Sequence, residues 1–175
     1  EKLNAPTERS QRAEALHYLG RVALLNKQVE NSQQHLEQSA KLYQTLIADD
    51  PEHHNALARL SVDLSRAWSA KGRQNTALKH RRSELNHLLA LIQHDSKRDE
   101  VQMRFLNRAV KLAQLQQLHR QSKDLATTLQ QARAQGQKLI KHRTHSEQAL
   151  RLMAILERMS AESAIRSGDW TVVLR

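Results

Sequence analysis

Three side chains in the middle of the chain are the first that could do chemistry. His80, Glu84 and His87 are spaced i, i+4 and i+7, which places two imidazoles and a carboxylate on one face of a helix. His142 and His145 repeat the idea at i, i+3. Helical spacing brings such groups together often, however, and the adjacent Arg81 and Arg82 oppose a cation, so no metal and no cofactor is assigned. Nothing in the chain suggests an enzyme. It has no Gly-rich phosphate loop, no nucleophile elbow and no paired carboxylates in an apolar setting, and only four Gly to shape a pocket. The lack of Cys removes disulfides, thiolate zinc sites and cysteine nucleophiles. It leaves the compartment open, with the cytoplasm favoured.

Charge carries more information. The net charge of +10 is unevenly spread: residues 1–50 hold 6 basic and 7 acidic side chains, residues 51–100 hold 9 and 6, and residues 101–175 hold 13 and 5. Such a gradient attracts acidic partners and says little about fold. Nucleic acid is one such partner. Lys138, Lys141, His142 and Arg143 in the basic C-terminal half could neutralise phosphates. Against that reading, the rings are few (Tyr18, Tyr43, Trp68, Phe105, Trp170) and do not alternate with basic residues as a base-stacking platform would. Nucleic acid is therefore the alternative to a protein or peptide partner. No apolar run approaches the roughly 20 residues a bilayer span needs, so a soluble chain is expected.

The elements that must position these groups are helices. Leu, Ala, Gln, Lys, Arg and Glu dominate, while Gly and Pro (Pro6, Pro51) are scarce. These are residues that lose little side-chain freedom in a helix. Apolar residues recur at helical intervals: Leu36, Ala40, Tyr43, Ile47; Leu78, Leu85, Leu88, Ile92; and Leu125, Leu129, Ala132, Gly136. Polar breaks separate the segments at 49–53, 95–99 and 143–146, the first marked by Pro51. The predicted helix pairs are 8–27 with 29–49, 54–71 with 75–95 and 100–119 with 122–143, followed by a helix at 146–167.

These segments repeat. The dipeptides Leu46-Ile47, Leu91-Ile92 and Leu139-Ile140 lie 45 and 48 residues apart. The same offsets align Leu19-Gly20 with Leu64-Ser65, Leu112-Ala113 and Ser160-Ala161, so a small residue recurs at the second position. They also align Lys27, Gly72, Arg120 and Gly168, each where a first helix should end in a tight turn. The expectation is one domain over 1–175 with repeats at 8–52, 53–98, 99–145 and 146–175, the last incomplete. Trp170 to Leu174 reads as the start of a further helix with an apolar edge. That implies a longer protein, or self-association that covers the edge.

The residues Leu19-Gly20, Ala23, Asp50-Pro51, Leu64-Ser65, Trp68, Lys71-Gly72, Ala77-Leu78, Leu112-Ala113, Leu125, Leu129, Ala132, Ala161, Ala164 and Ser167-Gly168-Asp169-Trp170 resemble the tetratricopeptide repeat family. The units are longer than that family's usual 34 residues, and the third lacks the turn Gly and terminal Pro. They resemble the long repeats behind bacterial Ser/Thr kinases and in multi-domain regulators. The resemblance implies an all-α, right-handed α-α superhelix of about three and a half helical hairpins, acting as a protein-interaction or regulatory module. Its concave face would be lined by His17, Arg21, Arg59, Arg66, Asn107, Gln114 and Arg158, a basic surface suited to an acidic segment. Family members that clamp a C-terminal carboxylate carry Lys, Asn, Asn, Lys and Arg. The matching positions here are His17, Arg21, Asp63, Asn107 and Lys111, which do not fit. That activity is not expected. Trp68 and Trp170 are expected to pack within hairpins.

Overall fold

A computed structural model describes residues 6–142 and 147–168. Seven helices account for nearly all of them: α1 (Pro6–Leu25), α2 (Val29–Leu46), α3 (His53–Ala70), α4 (Gln74–His94), α5 (Asp99–Leu118), α6 (Ser122–His142) and α7 (Glu147–Ser167). There is no strand among the described residues. The expected helices are all present, with ends within about three residues of the predicted ones, the uncertainty inherent in fraying helix termini. The break at Arg143 to Ser146 and the ending at Trp170 to Leu174 lie outside the described residues.

The chain divides into two compact units, Glu1–Ser96 with α1 to α4 and Lys97–Arg175 with α5 to α7. The division falls beside the expected junction between the second and third repeats. In the first unit α1 pairs with α2, α3 pairs with α4, and α2 joins the two hairpins by packing on α3. In the second, α6 packs on both α5 and α7, and α5 also meets α7.

Helical spacing selects the core. Leu36, Leu46, Leu57 and Leu60 are almost fully buried in the first unit, as are Leu85, Leu88 and Leu91. Phe105, Leu106, Leu112, Leu139 and Leu156 are their counterparts in the second. Burying each such side chain contributes about 1.5–3 kcal/mol. Small residues set how near the helices come. A Cβ on Gly20 would lie 2.7 Å from Leu36 Cδ2, so α1 can rest on α2 only because that side chain is absent. The Ser39 hydroxyl then donates to the Ala13 carbonyl at 2.6 Å, fastening the same pair through a buried polar contact. Ser65 and Ala113 occupy the equivalent repeat position and are likewise buried.

The aligned turn positions share one backbone conformation. Lys27, Gly72, Arg120 and Gly168 have φ of 60°, 71°, 55° and 74°. Arg120 thus takes the left-handed turn without the glycine that usually supplies it. Leu19, aligned with Leu64 and Leu112, is 49% exposed, whereas those two are buried. Tyr18, Val22 and Leu25 lie open beside it, because α1 presents this side to solvent and packs inward through Ala13, Gly20 and Ala23.

Candidate functional site

Three basic residues of the first unit converge on an acid. Asp63, in the middle of α3, is a buried carboxylate with only 8% of its side chain exposed. His17 of α1 contacts it through Nε2 at 3.0 Å. Arg66, one turn along α3, donates from Nη1 at 3.0 Å, and Arg21 of α1 brings Nε to 3.8 Å. Burial alone would raise the Asp63 carboxyl, but the His17 hydrogen bond and the charges of His17, Arg66 and Arg21 outweigh it and hold it below the usual carboxylate range. The carboxylate can therefore stay ionised under cover. Both Arg side chains remain about 60% exposed, so each guanidinium reaches Asp63 while much of it stays open to water.

Helical geometry explains the convergence. His17 and Arg21 are four residues apart on one face of α1, and Asp63 and Arg66 are three apart on α3. The close α1 to α2 contact at Gly20 lets α1 reach α3, so the two faces meet. Arg59, one turn before Asp63, is exposed on the same helix. Four of the seven predicted lining residues thus lie in the first unit, and three of them share one carboxylate.

The other three lie in the second unit and share no common partner. Asn107 is half-buried on α5 and donates from Nδ2 to the Met103 carbonyl at 3.0 Å. Gln114 is exposed on α5. Arg158 on α7 is 3.7 Å from Glu162, which also accepts from Gln117 Nε2 at 3.3 Å. Asp63 has no acidic equivalent there, since its repeat position is occupied by Lys111.

No known family model, curated protein or solved structure matches this chain. The site must be read from its own residues.

Of the residues considered for a metal, Glu84 and His87 have other partners. Glu84 is buried and holds Arg81 at 3.2 Å, while His87 turns to His54 of α3, Nδ1 to Nδ1 at 3.0 Å. One ring of that pair must be neutral and accept the bond. Burial, with the His54 charge beside it, pushes His87 down to about 4, and burial lowers His54 as well. Among the described residues no group of three or more His, Cys, Asp or Glu is placed to hold a metal ion. His145 lies outside them. Nor is any described helix long and apolar enough to cross a membrane.

Two features escaped the sequence reading. Asp63 entered it only as a misfit to the carboxylate-clamp pattern, although an acid between basic residues on facing helices is a signal that the repeat alignment contains. Near Trp68, which is half-buried, Lys71 lies 5.6 Å from the ring centroid and 3.3 Å from Glu30, joining α3 to α2. Trp170 lies outside the described residues.

Proposed function

We propose that this chain is a tetratricopeptide-like helical repeat, its hairpins stacked as a right-handed α-α superhelix, that serves as the protein-interaction and regulatory module of a larger protein. Its ligand is an acidic segment of a partner, taken by the basic positions of the first helix of each hairpin. The observation that carries this reading is the Asp63 cluster. An exposed Arg ordinarily loses rotamer freedom when it grips a carboxylate, a cost of about 0.5–1.5 kcal/mol per side chain. Asp63 already holds Arg66 by a hydrogen bond and draws Arg21 near, and the exposed donors of both are open to a second carboxylate. Arg59 adds a further positive charge on the same helix.

Fluorescence anisotropy with a labelled poly-glutamate peptide tests this. The variant with Arg59→Glu and Arg66→Glu should bind at least about tenfold more weakly, with helicity unchanged by circular dichroism. A variant of equal charge change on α6, Lys123→Glu with Lys138→Glu, should bind nearly as the parent does. Equal losses in the two would reduce the interaction to net charge and remove the site. A labelled single-stranded oligonucleotide provides the contrast. Binding it but not the peptide, with affinity falling by orders of magnitude as salt rises, would put phosphate in place of the acidic segment.

A further inference from the structure

The second unit contains a cavity of about 330 Å³ where the end of α5, the start of α6 and the end of α7 meet. Its lining includes Gln116, Arg120, Ser122, Leu125, Ser163 and Arg166. Three observations make it more than a surface dimple. Gln116 is fully buried, yet neither its Nε2 nor its Oε1 has a hydrogen-bond partner. Amides buried in proteins are nearly always paired, and an orphan on the lining of a cavity is a group whose partner comes from outside. Arg120 and Arg166 are exposed, and neither is held in an ion pair among the described residues. The cavity also adjoins the first turn of α6, whose free N–H groups favour negative charge.

Acids stand nearby but do not fill this role. Glu162 is engaged by Gln117 and Arg158, and Asp124, in the first turn of α6, has interactions of its own. The guanidiniums call for a planar oxyanion. Gln116 presents one donor and one acceptor side by side, the complement of a peptide group. Leu125 offers apolar contact. The volume is at the low end for ligand pockets, right for one residue and too small for a nucleotide cofactor.

We propose that this cavity binds a peptide carboxylate next to an amide, with the carboxylate on Arg120 and Arg166 and the amide on Gln116. The inference rests on the acidic-partner reading and specifies one of its contacts. The carboxylate belongs to an acidic side chain within the partner segment or to a chain terminus, and the two sources are separable.

The test is titration of the protein, followed by ¹⁵N–¹H NMR of the Gln116 side-chain amide and the Arg120 and Arg166 Nε–H groups. N-acetyl-aspartyl methylamide represents the internal acid, and N-acetyl-alanine the terminus. At least one should give saturable shifts at concentrations on the order of millimolar, and the tighter of the two names the source. Sodium acetate and N-acetyl-asparaginyl methylamide should each bind at least about fivefold more weakly, as they lack one half of the ligand. Replacing both Arg120 and Arg166 by Gln should weaken binding about tenfold. Gln116→Leu should do the same while leaving the melting temperature of the free protein equal or higher, because it removes an unsatisfied group.

A fall in that temperature would show that the amide is already paired within the fold, and would overturn the proposal. So would acetate binding as tightly as the peptide analogues, or no saturable shift up to tens of millimolar. These outcomes leave the poly-glutamate experiment on Arg59 and Arg66 untouched, so failure of the cavity and failure of the acidic-partner reading can be told apart.

Discussion

The two units are built from similar helices and differ in what their buried polar groups meet. The first has 13 basic and 11 acidic residues, and two of its arginines, Arg21 and Arg66, meet at the buried Asp63. The second has 15 and 7, and it pairs two unengaged arginines with an unsatisfied buried amide. The repeat alignment shows where the acid is lost. Asp63 in the first unit corresponds to Lys111 in the second, while Arg66 corresponds to Gln114. Where the acid is present, the fold supplies its own counter-charge. Where it is absent, the equivalent positions carry a cation and a neutral amide. A repeat can thus keep its apolar core while the charge at one position changes sign.

The sharpest way to break this comparison is to remove the acid. Asp63→Ala leaves His17, Arg21 and Arg66 without their shared acceptor. Deleting one partner of a fully buried ion pair costs about 3–5 kcal/mol, but both arginines here can turn to water, so a loss of about 2 kcal/mol is expected. Hydrogen exchange should show it as lost protection in α1 and α3, with α5 to α7 unchanged. Asp63→Asn should restore part of the protection, because the amide oxygen still accepts a bond. Loss spread evenly over both units would mean that the acid supports the whole chain and not one cluster.

Packing offers the next test. Gly20 and Gly136 are both buried close-approach positions, one in each unit, and their neighbours differ. An added Cβ at Gly20 meets Leu36 Cδ2 and Cγ and lies 3.2 Å from the Leu36 backbone nitrogen, so little can give. At Gly136 it meets the side chain of Met153, which has three rotatable bonds. Overpacking of about 1–3 kcal/mol is offset by the roughly 1 kcal/mol that Ala gains over Gly in a helix. Gly20→Ala should therefore cost about 1–2 kcal/mol by denaturant unfolding, and Gly136→Ala less than half as much. The reverse order would show Met153 to be the more tightly held neighbour.

These residues also show what the sequence made legible. The period fixed the helices and turns, because hydrophobic spacing and helix termination are local and recur with each unit. Alignment with Gly72 and Gly168 puts Lys27 and Arg120 at tight turns, although nothing in Lys or Arg itself signals the left-handed conformation that both adopt. Leu19 is open where its aligned counterparts Leu64 and Leu112 are covered, because burial depends on whether another helix lies over the face, and a repeat offset does not record that. The Asp63 cluster was missed for a related reason. His17 and Asp63 are 46 residues apart, and their contact depends on the approach that Gly20 allows. The orphan amide of Gln116 leaves no trace in sequence, where a Gln on a helix is simply a helix former.

A smaller effect should follow from pH. His54 and His87 are both lowered by burial, so between about pH 4, the folded value for His87, and its ordinary value of 6.5 the unfolded chain binds more protons than the folded one. Stability then rises with pH across this window and is lost on acidification through it. Since water still reaches these rings, the effect by pH 5 should be about 1 kcal/mol, well short of the full shift. It should appear as faster exchange in α3 and α4. His87→Leu should flatten the slope between pH 5 and 7; an unchanged slope would assign it to other groups.

The smallest effects, at the turns, bear most directly on the difference between the units. Each unit has one turn made by Gly and one made by a cation in the left-handed region, Lys27 in the first and Arg120 in the second. A side chain there costs roughly 1 kcal/mol relative to Gly. Gly72 has nothing within 4 Å of an added Cβ, so Gly72→Ala tests the backbone term alone and should destabilise by about that amount. Lys27→Gly should stabilise by about 0.5–1 kcal/mol with no other consequence, as its site has no assigned role. Arg120→Gly should raise the melting temperature similarly and also weaken binding of the carboxylate probes. If both cations prove dispensable to binding, Arg120 is only a poor turn residue. If stability and affinity move in opposite directions for Arg120 alone, the second unit retains a strained turn because it positions a guanidinium at the cavity.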